Sequence, residues 1–351
     1  MLASARRTRI LGLVLFGVPA FPTPSPTTAW QSSGPPLYQV NAVAADPSQD
    51  SAVYAAASIY SVSESAIFRS PDGGRTWAPL VDASPGEFFS EVEVDRHDSR
   101  RVYAGAHAPG GGANLYRSID GGQTWAVTGT VTPSCTPSFV TGSGSSTVLV
   151  GCGPKVLRSI DGGQTWTELT TPFSEPVRLA SGPSGAVFAY GSGGIFRSAN
   201  DGGTWSSLGA PPTECTGIQA LDVSPDDEST LLIGTGSIVG STFACGGVFR
   251  STDGGSTWSA NGVPDVYVTD VVIDRRSPSI MYASASTLPP ILPPGGVFQS
   301  RDGGATWKNL QLPAAGAVRL ALSPTGRLLH AATPIGVFDR GFRKTVQLPT
   351  R

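Results

Sequence analysis

The signatures of most common chemistries are missing from this chain. It has no run of basic residues, no CxxC pair, no GxSxG elbow, no HExxH, no P-loop and no GxGxxG, and its only histidines are His97, His107 and His330. A nucleic-acid partner requires clustered Lys and Arg to displace counterions from phosphates, so none is expected. Without CxxC spacing a structural zinc is not expected, and without the glycine-rich and nucleophile motifs neither is a phosphate-bearing cofactor nor a serine hydrolase. The segment Asp95-Arg96-His97-Asp98 has metal-ligand residue types, but it falls in a predicted turn, where such residues serve the backbone. We therefore expect no metal and no cofactor. Charged residues make up only 14% of the chain against 39% apolar, a balance that suits a folded globular protein.

Long apolar runs are also scarce. The single candidate, Ile10 to Val18, follows Arg6, Arg7 and Arg9 and precedes the small-residue sequence Val18-Pro19-Ala20. It is shorter than the roughly 20 residues of a bilayer-spanning helix and has the three-part pattern of a secretory signal peptide. Cleavage is expected after Ala20, with Ala29 as the second choice, leaving no stable membrane span. Loss of the three arginines takes the formal charge from −2 to −5. The cysteines, Cys135, Cys152, Cys215 and Cys245, form an even set in a chain expected to reach an oxidising compartment, secreted or periplasmic, so two disulfides are the natural reading.

One motif recurs six times: IFRSPDGGRTW ending at Trp77, LYRSIDGGQTW at Trp125, VLRSIDGGQTW at Trp166, IFRSANDGGTW at Trp205, VFRSTDGGSTW at Trp258 and VFQSRDGGATW at Trp307. The tryptophans lie 39 to 53 residues apart, matching the roughly 40 to 50 residues of one four-stranded propeller blade. Each copy alternates apolar and polar residues, turns on glycine and resumes with Thr-Trp, which reads as a hairpin between a blade's third and fourth strands. Ser70 and Asp72 are placed to bond the turn's own backbone, Gly73 or Gly74 to supply positive φ, and Trp77 to fold over the loop. Seven inner-strand segments begin the repeats, at VNAVAADP, SEVEVDR, SFVTGS, VRLASGP, QALDVSP, TDVVIDR and VRLALSP. The expected fold is therefore all-β, a single seven-bladed β-propeller over 37–351 with a leader at 21–36. The seventh blade, ending GVFDRGFRKTVQLP, has lost its turn residues. AWQSSGPP, containing Trp30, resembles a fourth strand and either closes that blade or belongs to an unstructured Pro/Ser/Thr-rich leader.

The Ser-x-Asp-x-Gly-x-Thr-Trp repeats, over residues 36 to 351, resemble the Asp-box or BNR repeats of sialidases, sortilin-type receptors, xyloglucan-cleaving glycoside hydrolases and the photosystem II stability/assembly factor family. The resemblance implies structural roles for the box residues Asp72, Asp120, Asp161, Asn200, Asp253 and, next to Gly303, Asp302. It implies the scaffold and leaves open the function, since the same repeat serves enzymes and binders. Sialidase-like enzymes carry a Phe/Tyr-Arg-Ile-Pro motif that this chain lacks; its recurrent arginines Arg69, Arg117, Arg158, Arg197 and Arg250 sit at a fixed place in the repeat and do not form that family's arginine triad. Xyloglucanase-like enzymes place a cleft between two propellers, and this chain has one. It is most similar to the single-propeller assembly-factor type.

The boxes should occupy one face and the insertions Ser58 to Ser65, Ala108 to Asn114, Ser237 to Gly246 and Ser286 to Gly296 the other, where binding functions usually reside. Cys135 and Cys215 lie in blade-to-blade connections and Cys152 and Cys245 near second-to-third strand loops, which favours the pairs 135–152 and 215–245 among three connectivities. Aligning the inner strands puts Ala42, Glu91, Phe139, Arg178, Ala220, Asp270 and Arg319 at one equivalent position near the channel mouth, with Glu93 and Asp222 two residues on. The candidate ligand-binding set is thus Glu91, Glu93, Arg178, Asp222, Asp270 and Arg319, with Tyr60, Phe88 and Tyr267 at the rim. The alternative role for these charges is an internal ion-paired plug. The expected function is an exported, non-catalytic propeller that binds a protein or glycan on the insertion-bearing face; no catalytic residue is assigned. The alternative is a glycoside hydrolase, sialidase-like or xyloglucanase-like, that uses Glu91, Asp222 and Asp270.

Overall fold

In the computed structural model, described over residues 29–59, 63–109, 111–132, 135–209, 215, 217–239, 242–286, 295–314 and 316–342, seven antiparallel four-stranded sheets form a seven-bladed β-propeller. The expected signal segment with its first-choice cleavage point after Ala20, and Tyr60, lie outside these residues. The innermost strands are Gln39–Ala45, Phe88–Val94, Ser138–Thr141, Val177–Ser181, Ile218–Val223, Val268–Ile273 and Arg319–Leu322. Each overlaps one of the seven segments read from the sequence.

Blade seven settles the choice about Trp30. Its strands Arg319–Leu322, Leu328–Thr333 and Gly336–Gly341 are completed by Gln31–Gly34, which pairs Gln31 with Asp339 and Ser32 with Phe338. The N-terminal strand is thus the outermost strand of the last blade, and the propeller begins ahead of the expected boundary at residue 37. Trp30 anchors it, donating Nε1–H to the Leu310 carbonyl at 2.9 Å and stacking beneath the Arg340 guanidinium. Closure by this strand covers what would otherwise be an open sheet edge.

The core is divided into seven layers, one between each pair of adjacent sheets. The layer between blades one and two joins Ala42, Ala56 and Ile67 to Phe89, Val92 and Ala104, and the closing layer joins Val40 and Val43 to Ala321, Ala332 and Val337. Second strands such as Val53–Ile59 are covered on both faces and read as continuous apolar runs, whereas outer strands such as Ala78–Asp82 are exposed. Small residues fill the positions where the blades converge: Ala55, Ala56 and Ala57 are fully buried there.

The repeat turns are built as their residue types predict. The Ser70 hydroxyl accepts from the Gly74 N–H at 2.8 Å, Asp72 accepts from the Thr76 N–H at 2.9 Å and hydroxyl at 2.7 Å, and Trp77 Nε1–H closes on the Gly74 carbonyl. Both Gly73 and Gly74 have positive φ, 74° and 91°. In blade four Asn200 takes the aspartate's place and Asp201 adopts positive φ at the first glycine's place, leaving its carboxylate to accept from the Ser143 N–H and hydroxyl of blade three. The motif tryptophans are half-buried rather than buried, except Trp258 at 8% exposure.

The recurrent arginines tie blades together. Arg158 and Arg250 each donate to a carbonyl in the next blade's turn, at Asp201 and Gly303. Both expected disulfides are present, Cys135–Cys152 in blade three and Cys215–Cys245 in blade five, with Cα separations of 5.2 and 5.6 Å.

Candidate functional site

Four inner strands carry a bulge at the same place. Pairing slips between Val40 and Ala42, Phe89 and Glu91, Ile218 and Ala220, and Val268 and Asp270. The extra residues, Asn41, Ser90, Gln219 and Thr269, turn their polar side chains to the mouth of the central channel, a common use of a bulge. There they stitch the rim: the Asn41 amide donates to the Phe89 carbonyl of blade two at 2.8 Å, and the Thr269 hydroxyl to the Ala317 carbonyl at 2.6 Å.

The mouth is a cavity of about 310 Å³ lined by Phe88, Tyr267 and His107 and by the two arginines Arg178 and Arg319, among others. Arg178 donates to the Gln219 carbonyl at 3.0 Å, and Arg319 to the Thr269 carbonyl at 3.4 Å. Each arginine therefore holds the bulge carbonyl of a neighbouring blade. Arg319 also reaches Glu91 at 3.6 Å, from blade seven to blade two past small Ala42 of blade one. Among the described residues no Asp or Glu lines this cavity.

The carboxylates read from the sequence are not among the lining residues, and Glu91, Asp222 and Asp270 have partners of their own. Asp270 accepts from the N–H groups of Val271 at 3.0 Å and of Leu320 in blade seven at 2.8 Å. Asp222 does the same with Val223 and with Ile273 of blade six, and pairs loosely with Arg275 at 3.8 Å. The inner strand of each blade is an edge strand with unpaired N–H groups, and these aspartates satisfy them from the preceding blade. The Glu91 and Arg319 side chains are only 14% and 19% exposed, and both are desolvated.

Burial sets the electrostatics. It raises Glu91 above the ordinary carboxylate range against the pull of Arg319 and Arg178, and raises Asp270 against Arg319. It pushes Glu93 up to about 8, with Glu91 adding to the effect and Arg275 opposing it. Burial pulls Arg178 down, helped by the like charge of Arg319. For Arg319 burial is outweighed by Glu91 and Asp270, which raise it. Tyr190 of blade four, which the sequence reading did not single out, lies within the field of Arg178, Arg319, Asp270 and Glu91. Its signal was its place opposite Arg178 on the paired strand. The four bulge residues were missed because a bulge is a matter of register, whereas the alternating pattern assumes regular pairing.

The Asp95–Asp98 segment is a structural turn: Asp95 accepts from the His97 N–H and from Arg101, and among the described residues no cluster of His, Cys, Asp and Glu has metal-binding geometry. Also among the described residues, no helix is long and apolar enough to cross a membrane.

The sequence matches no family profile and no curated protein. Solved structures do resemble the fold. An ancestral GH74 enzyme superposes with a TM-score of 0.71 at 17% identity over 91% of this chain and 46% of its own. YCF48 from Cyanidioschyzon merolae gives 0.64 at 15% identity over 91% of this chain and all of the other, 100%. YCF48 bound to D1 peptide gives 0.62 at 15% identity, over 90% and 98%. The chain thus spans between 46% and 66% of the length of such GH74 enzymes. At these identities the likeness establishes a shared propeller fold.

Proposed function

We propose that this chain is an exported, non-catalytic Asp-box propeller that binds a protein or glycan partner at the channel mouth on its insertion-bearing face. The observation that carries the reading is the composition of the mouth: a concave, half-polar cavity with aromatic walls and two guanidiniums and, among the described residues, no carboxylate lining it. A rigid seven-bladed frame holds these groups, while Asp222 and Asp270 are engaged in joining blades. A hydrolase needs two carboxyls facing a substrate cleft at about 5 to 9.5 Å separation. That Glu91 and Asp270 are buried and not among the residues lining the cavity favours binding over that chemistry. Likeness to a propeller that holds a peptide, YCF48 with D1, is compatible with this role.

Export is supported by the arginine-led apolar segment before residue 20 and by two disulfides, which persist in oxidising compartments. The test is a pull-down from native extracytoplasmic extract and a glycan-array screen with the exported protein and its Arg178→Gln variant. A partner captured by the wild type and lost by the folded variant is expected. Turnover of xyloglucan or sialosides, or capture unaffected by Arg178→Gln, overturns the reading.

A further inference from the structure

The chemistry of the mouth narrows the ligand class. Resting on the binding role proposed above, we infer that the mouth receives the free C-terminal carboxylate of a peptide chain, held by Arg178, with the last side chain against Phe88 and Tyr267. Three observations converge on it.

The first is charge. Arg178 faces the cavity, donates one N–H to the Gln219 carbonyl, and makes no ion pair among the described residues. Arg319 is answered by Glu91 and lies close enough to Asp270 to feel its charge. Glu91 and Asp270 act on both arginines, but among the described residues only Arg319 has a carboxylate within 4 Å, so the planar Arg178 guanidinium keeps donors facing the cavity for a monoanion with two oxygens. A phosphate dianion has no second unanswered cation here.

The second is volume. About 310 Å³ is at the low end of ligand pockets and equals the share of roughly ten waters in liquid. That admits one or two residues, not a chain that enters, turns and leaves. The Arg319–Glu91 pair spans one blade along the wall of the bore, past Ala42, and a cavity of this size suits the end of a chain. The third is the wall. Phe88 and Tyr267 are side by side with polar bulge residues, so an apolar last side chain meets aromatic faces while its carboxylate and amide meet donors and carbonyls.

The experiment uses the exported protein and two pools of N-acetylated hexapeptides randomised at the last two positions, one made as free acids and one as C-terminal amides, read by affinity selection and then by fluorescence anisotropy on the selected sequences. Selection from the free-acid pool alone is expected, with an apolar or aromatic last residue and at least tenfold weaker binding of each amide twin. Arg178→Gln should abolish that binding, and Arg178→Lys should weaken it about tenfold through loss of the bidentate fork. Arg75→Gln, on the opposite face, should bind as wild type. Equal selection from the amide pool, or no selection from either, overturns the inference on wild-type protein alone, whatever the variants' folding. Arg178-dependent capture of acidic sugars without free-acid peptides also overturns it while sparing the mouth as a binding site; partner capture indifferent to Arg178→Gln removes both readings.

Discussion

At the scale of single residues, the repeat turn is a local device. The Asp161 carboxylate takes the N–H groups of Gln164 and Thr165 at 2.9 Å and bonds the hydroxyls of Ser159 and Thr165, all within six residues. Asp161→Ala should therefore lower the melting temperature by a few degrees without altering binding at the mouth, checked by calorimetry beside a binding assay. The same bonds give the turns a pH signature. The Thr124 hydroxyl and N–H hold Asp120 down at about 2, and Thr257 and Thr306 do so for Asp253 and Asp302. A depressed carboxyl adds stability above its unfolded value near 3.9 and loses it as pH falls through the folded value, so stability should drop steeply between about pH 4 and 2. Glu93 behaves in the opposite sense. Its folded value of about 8 lies above the unfolded one, so its contribution is complete below about pH 4.3 and is lost as pH rises towards 8 and beyond. Glu93→Gln should flatten the fall of melting temperature between pH 6 and 9 and raise it by several degrees at pH 9; an unchanged slope contradicts the assignment.

At the scale of elements, the two disulfides stiffen the insertion-bearing side. Cys135 and Cys152 close 17 residues and tie the entry of blade three to the end of its second strand. Cys215 and Cys245 close 30 residues and fasten the long hairpin of Leu231–Val239 and Thr242–Ser251, whose outer end shows Val239 at 70% exposure. In the chain-entropy account each closure contributes about 3 to 4 kcal/mol. Replacing Cys215 and Cys245 together with Ser should lower the urea midpoint correspondingly, and non-reducing peptide maps should recover only the 135–152 and 215–245 links. The elements were legible because the turn chemistry is self-contained: strand, glycines and Thr-Trp occur in the order in which they are used. The bulges at Asn41, Ser90, Gln219 and Thr269 were not, since nothing in an alternating run such as TDVVIDR marks where pairing skips a residue.

At the scale of the whole molecule, the charges at the channel act between blades. The Arg319–Glu91 pair joins blade seven to blade two, so Arg319→Gln leaves Glu91 buried without its main partner and should cost about 3 to 5 kcal/mol. Adding Glu91→Gln should restore most of the loss. A double-mutant cycle by chemical denaturation measures the coupling, and a coupling near zero means that the pair contributes little to holding the closed ring. Arg178, which has no ion pair within 4 Å among the described residues, is the variant that separates binding from stability.

Blade number, strand order within a blade and the disulfide partners were determined by the sequence itself, because each depends on contacts within one repeat of about 50 residues. The choice between a closing strand and a loose leader depended on Trp30 meeting Leu310, 280 residues away, and only the folded ring brings them together. The same holds for the site. Alignment of repeats put Glu91, Arg178, Asp270 and Arg319 at one level. Which of them faces the cavity, which fastens a neighbouring blade and which lies desolvated was decided by the tertiary structure, because burial and the backbone groups of adjacent blades, rather than repeat position, set where each charge finds its partner.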